Sequence, residues 1–206
     1  MKKFFVVFIL FIVVFGSSFG VLAQGEVEVK GGPTFNNYVY QRSYAGEKDN
    51  YLHYYEELNS GHGFFMEGNY WFNPHFAMGI GFDYGKTGFN SEGGYSLDYS
   101  LTGPYTGISI VMNEQLTARL AGTYYFLDKL ENGTSFEKGA GPGLLLGLRF
   151  EFPIANKVTF VGETSYRKAM ISINKKLDNQ GKMSDIDYIK EEISGLRITG
   201  GLSYSF

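Results

Sequence analysis

The side chains able to do chemistry fall into two sets, one scattered and one periodic. The scattered set begins with the three histidines. His53 and His62 share a polar stretch with Glu56, Glu57 and Ser60, the residue types of a Ser–His–acid hydrolase. Any polar loop can hold such a trio by composition, so no catalytic residue is assigned. His75 sits apart in an Asn-Pro-His turn. Three dispersed histidines give no metal-ligand spacing. With no cysteine, disulfides, thiol chemistry and cysteine-ligated metals are excluded. Asp178, Asp185 and Asp187 could bind a divalent cation, or bridge through one to lipopolysaccharide phosphates, but no metal site is assigned to them. Gly139-Ala140-Gly141-Pro142-Gly143 lacks the lysine and helix of a phosphate loop, so no cofactor is expected. Asn132-Gly133-Thr134 matches a glycosylation acceptor only formally.

The periodic set consists of Glu28, Lys30, Glu67, Asp83, Arg119, Arg149, Glu151, Glu163, Arg167 and Arg197. Each falls on the small or polar side of a two-residue alternation, the period of a β-strand. Phe76, Met78, Ile80, Phe82 and Tyr84 alternate with Ala77, Gly79, Gly81, Asp83 and Gly85. Leu144 to Ile154 and Leu196 to Phe206 repeat the pattern, as do Phe64–Phe72 and Leu116–Phe126. From Gly25 onward eight such segments follow one another, with almost no helical period.

Three very short connections join them: Asn73-Pro74-His75, Asn113-Glu114-Gln115 and Ala155-Asn156-Lys157. Their even spacing, some 40 residues, marks a hairpin-pair repeat in constant phase. The other connections read as longer polar loops, over Gln41–Ser60, Asn90–Tyr95, Glu131–Ala140 and Asn174–Glu192. Ser184-Asp185-Ile186-Asp187 gives a weak helix-start signal in the last of them. One segment departs from the pattern. Leu97, Tyr99 and Leu101 are odd, whereas Ile108, Ile110 and Met112 are even. Either a β-bulge at Gly103-Pro104 shifts the phase, or the upper half lies above a membrane with its phase unconstrained.

The N-terminus carries an address. Met1-Lys2-Lys3, the apolar run Phe4–Phe15 and Val21-Leu22-Ala23 make a secretory signal peptide with cleavage after Ala23. The mature domain is then 24–206. The net charge of -3 excludes the basic footprint of a nucleic-acid binder. Glycine at 28 of 206 residues, with 17% aromatics and only 19% charged residues, fits an all-β chain. In a soluble barrel the large residues would point inward; in a membrane barrel they meet lipid. Small residues on the opposite face and aromatics at strand ends favour the membrane. The girdle is read as Tyr70, Trp71, Phe72, Tyr124, Phe126, Tyr204 and Phe206, with Tyr38 and Tyr40 at the loop side.

Signal peptide, eight strands, tight turns on one side and the terminal Leu202-Ser203-Tyr204-Ser205-Phe206 together resemble small bacterial outer-membrane β-barrels of the OmpA/OmpX and opacity-porin-like kind. The resemblance implies an eight-stranded antiparallel up-and-down transmembrane β-barrel in the outer membrane. It implies lipid and lipopolysaccharide as surroundings, and the barrel-assembly machinery as a partner through the C-terminal strand. The expected role is non-enzymatic: envelope integrity or surface contact through loops. The alternative is a small porin-like barrel for ions or hydrophobic small molecules.

An eight-stranded barrel has an interior that side chains just fill. The five acids and five bases of the periodic set must therefore pair. Symmetry about Asn156 sets Arg149 opposite Glu163, and Phe152 opposite Phe160. Recognition would fall to the loops, where Tyr44, Tyr51, Tyr54 and Tyr55 stand among acids. The alternative for these tyrosines is contact with lipid headgroups.

Overall fold

The computed structural model describes residues 25–43, 54–57, 60–90, 96–178 and 181–206. The expected signal peptide at 1–23 lies outside these residues, as do Tyr44, Tyr51, His53 and residues 91–95. Nine strands form one antiparallel sheet: β1 (Glu26–Ser43), β2 (Tyr54–Glu57), β3 (Gly61–Asn73), β4 (Phe76–Asn90), β5 (Ser96–Asn113), β6 (Leu116–Glu131), β7 (Thr134–Ala155), β8 (Val158–Leu177) and β9 (Met183–Ser205). From β3 onward each strand pairs with the next, and β1 pairs with both β3 and β9, so the sheet closes into a ring. The four-residue β2 runs beside the top of β1, with Val39 opposite Glu57 and Arg42 opposite Tyr54. Lower down, β1 pairs with β3. The wall is thus eight strands round, with β2 as a ninth, short element.

Alternation sets which side chains face out. In β7, Leu144 and Leu146 are 50% and 58% exposed, while Leu145 between them is 1% exposed. Phe35, Ile110, Leu120, Phe152, Met170 and Leu202 continue an apolar belt around the outside. A closed sheet dry outside and charged inside has the polarity of a transmembrane barrel.

The three short turns share one construction. In each, the register shifts by a residue just before the turn, at Trp71/Asn73, Val111/Asn113 and Pro153/Ala155. Asn73 Oδ1 accepts the His75 N–H at 2.8 Å, and Asn113 Oδ1 accepts from Gln115 and Leu116 at 3.0 and 2.9 Å. The third turn lacks that asparagine and places Lys157 at φ 73° instead.

At the other end the strands run well past the belt. β7, β8 and β9 have 22, 20 and 23 residues, about twice the ~9–11 that a tilted strand needs to cross a bilayer. This length corrects three loop expectations. Gln41–Ser60 contains the end of β1 and all of β2. Glu131–Ala140 is a hairpin, in which Asn132 (φ 47°) and Gly133 (φ 82°) form the two-residue turn. Asn-Gly favours such a turn because both positions need positive φ. Asn174–Glu192 is mostly strand, and the expected helix start at Ser184 lies inside β9. There Asp178 caps the turn, accepting from Lys182 N and Ser184 Oγ at 2.9 and 3.0 Å.

The departure at Gly103-Pro104 is not a bulge. The β4–β5 register runs unbroken from Phe76↔Ile110 to Asn90↔Ser96. Leu97, Tyr99 and Leu101 keep the parity of the interior. What changes is the character of the inside: above the belt it becomes apolar.

Candidate functional site

Among the described residues, many ionisable side chains meet in the interior. Near the short turns, Glu28 forms an ion pair with Lys30 Nζ at 2.7 Å and accepts from Asn69 Nδ2 at 3.1 Å, Trp71 Nε1 at 3.2 Å and the Ser203 hydroxyl. Lys30 also stands 3.7 Å from Glu151, whose side chain keeps 23% of its surface exposed at the mouth. Trp71 is therefore an interior residue, which corrects its place in the girdle. It keeps the inner parity of Glu67 and Asn69, and the register shift comes only after it, before Asn73.

Above this lies a lattice around two carboxylates. Glu67 on β3 takes Arg149 Nη2 at 3.0 Å and the Tyr105 hydroxyl at 2.9 Å, and pairs with Arg119. Glu163 on β8 takes Arg149 Nη2 at 2.9 Å, and Arg119 Nη1 and Arg197 Nη1 at 3.2 Å each. Arg149 lies directly across the β7–β8 ladder from Glu163, and Phe152 across from Phe160. One rung higher, Asp83 on β4 pairs with Arg167 on β8 and accepts the Tyr125 hydroxyl at 2.9 Å. Arg167 also donates to the Tyr38 hydroxyl.

In the ring of eight, β3 faces β7 and β4 faces β8. The Glu67–Arg149 and Asp83–Arg167 pairs thus cross the full width of the barrel. Aromatic rings fill the space between the guanidinium groups: Arg119 stacks 4.8 Å from Tyr105, and Arg167 stacks 5.0 Å from Tyr38 and 4.8 Å from Tyr125. Gly81 leaves room for this. A Cβ there would lie 2.3 Å from the Tyr105 ring. Tyr38 and Tyr125 are fully buried, which removes Tyr38 from the loop-side girdle.

The next level holds no charge among the described side chains. Tyr38, Tyr99, Leu101, Tyr125, Leu127, Ala169, Ile171, Ile173 and Ile193 form one buried cluster drawn from five strands. Above it Lys129 meets Glu137 at 3.1 Å and Glu191 at 2.5 Å. Sequence reasoning missed this upper trio because both carboxylates fall within stretches read as loops. Strand parity was the signal that could have found them.

Among the described residues the remaining candidates do not converge. His62 points outward from β3 and is exposed, as is Ser60; the side chains of Glu56 and Glu57 lie outside the described residues. Asp178 is held by its own turn, and Asp185 stands opposite Lys175. Among the described residues no three acidic or histidine side chains could hold a metal ion. Outside, Tyr70 and Phe72, Tyr124 and Phe126, and Tyr204 and Phe206 form edge-on ring pairs 4.9, 5.6 and 5.0 Å apart at the two margins of the belt. A groove of 540 Å³ on the outer wall is lined mainly by Val29, Gly31, Phe64, Met66, Leu202 and Tyr204.

No family model and no curated protein matches the chain. Among solved structures it is similar to Ail, the attachment invasion locus protein of Yersinia pestis, in complex with the heparin analogue sucrose octasulfate, at 18% identity over 89% of this chain and 100% of that one, TM-score 0.47. It is similar to the outer membrane protein OprG of Pseudomonas aeruginosa at 10% identity over 88% and 96%, TM-score 0.49. It is also similar to Neisserial surface protein A at 10% identity over 89% and 100%, TM-score 0.49. At such identities the likeness is confined to the fold.

Proposed function

We propose that this transmembrane barrel is a non-enzymatic outer-membrane protein, closed to solutes, whose outer extension presents surface for envelope integrity or contact. In this reading residues 1–23 direct export and are removed. The final strand, ending at Phe206, is what the barrel-assembly machinery recognises. The short turns face the periplasm, and the long ends of β7–β9 stand outside the cell among lipopolysaccharide.

The observation that carries the reading is the filling of the interior across its whole width. Arg149 and Arg167 reach Glu67 and Asp83 on the facing strands, and above them Leu101, Leu127, Ile171 and Ile173 are packed together at 0–2% exposure. A transport barrel needs a continuous water path or an internal apolar cavity. The groove of 540 Å³ opens instead on the lipid side, where acyl chains meet it.

The test is single-channel conductance of the refolded mature protein in a planar bilayer, with insertion checked by the mobility difference between boiled and unboiled gel samples. Inserted protein is expected to show no conductance steps. Steady channels would put ion transport in place of this reading.

A further inference from the structure

The ion-pair section and the apolar section both fill the barrel, yet they treat water differently. In the ion-pair section several buried polar atoms make no hydrogen bond: Asn36 Oδ1, Thr199 Oγ1, Arg167 Nε, Arg197 Nε, and Arg197 Nη2 with Asp83 Oδ1, which stand 3.4 Å apart. They come from neighbouring positions. Asn36 lies across the β1–β9 ladder from Arg197, and Thr34 across from Thr199. Lower down, Arg149 Nη1 and Glu151 Oε1 are left in the same state, and Glu151 opens to the mouth.

This set mixes donors with acceptors. An anion would satisfy the arginine and threonine donors but repel Asn36 Oδ1 and Asp83 Oδ1, and a cation would do the reverse. Water alone serves both, since it needs two to four polar partners and gives as well as takes. The apolar section is mostly hydrocarbon: Leu101, Leu127, Ile171, Ile173 and Ile193 are buried at 0–2% exposure and packed together.

On the reading of the barrel as closed, we propose that its seal is the apolar section alone, and that the ion-pair section beneath is a blind vestibule of bound water entered past Glu151. Charged walls hold water between them, whereas an apolar constriction expels it and stops ions. Leu101, Leu127, Ile171 and Ile173 are then the residues that block passage. The arginine lattice braces the wall and does not block it.

The chain has no cysteine, so an engineered one is its only thiol. In refolded protein, Thr199→Cys is expected to react with a small charged thiol reagent, and Ile171→Cys to stay unreacted. In planar bilayers the triple variant Leu101→Ser, Leu127→Ser, Ile171→Ser is expected to pass discrete conductance steps. The neutralised pair Glu67→Gln, Arg119→Gln is expected to stay as silent as the natural chain. A conducting Glu67/Arg119 variant overturns the proposal, as does a folded but silent triple variant. Should the triple variant fail the gel-mobility check for folding, the cysteines decide: an unreactive Thr199→Cys or a reactive Ile171→Cys overturns it. Conductance by the natural chain is a separate result, which removes the closed-barrel reading itself.

Discussion

The lower and upper halves of this barrel are built on the same strands, in the same register, with opposite polarity. In the belt, β7 turns Leu146 and Leu148 outward and Gly147 and Arg149 inward. In the extension, β8 turns Ile171 and Ile173 inward and Ser172 and Asn174 outward. Exposed ion pairs dress the outer face from the belt's upper rim upward, Lys168–Glu192 at 3.1 Å, Lys86–Asp98 at 3.0 Å and Lys138–Asp128 at 3.6 Å. The lower half is a membrane barrel and the upper half a water-soluble one, stacked end to end. The difference teaches that strand parity assigns faces, while the surrounding medium decides which face is apolar. Lipid replaces the core as the place for large side chains, and the interior is left to charge pairs.

The comparison is broken most severely by removing a carboxylate below the junction. Glu163→Leu removes the one carboxylate that Arg119, Arg149 and Arg197 all contact, and unfolding in lipid vesicles should lose about 3–5 kcal/mol. A loss below ~1 kcal/mol, read from urea titration, would mean that the lattice contributes nothing.

The next test exchanges outward residues. Leu146→Lys puts a charge into lipid and should cost about 2–4 kcal/mol. The opposite exchange above the junction, Lys138→Leu, should stay within ~0.5 kcal/mol of the natural chain. Equal effects would mean that the two outer faces meet the same medium.

The smallest effect concerns the single tryptophan. Bound to Glu28 inside the rim, Trp71 should be poorly quenched by brominated acyl chains, and Glu28→Gln should shift its emission only slightly. Strong quenching would return Trp71 to the lipid-facing girdle.

The lower half was largely legible in the sequence. Period-two alternation and three evenly spaced turns place Glu67, Asp83, Arg149 and Arg167 on one face without further information. The upper half was misread for physical reasons. With lipid gone, Leu97, Tyr99 and Leu101 became apolar on the inner parity and imitated a phase slip. Glu137, Lys138, Lys175 and Lys176 gave strand segments the composition of loops. Asn132-Gly133 is a strong hairpin signal, yet its polar neighbours hid it inside an apparent loop. Trp71 misled because its aromatic neighbours Tyr70 and Phe72 face lipid, while its own odd number carries the inner parity of Glu67 and Asn69.

The bridge from Asp83 to Arg167 joins strands on opposite walls and residues 84 positions apart in the chain. A change of charge at either end strands the other, so the two sites are free to vary only as a couple. Glu67 with Arg149 obeys the same constraint. In lineages descended from this sequence, divergence should then be fast and independent on the lipid-facing wall, where one apolar residue serves as well as another. Across the lumen it should be slow, and it should come in matched pairs.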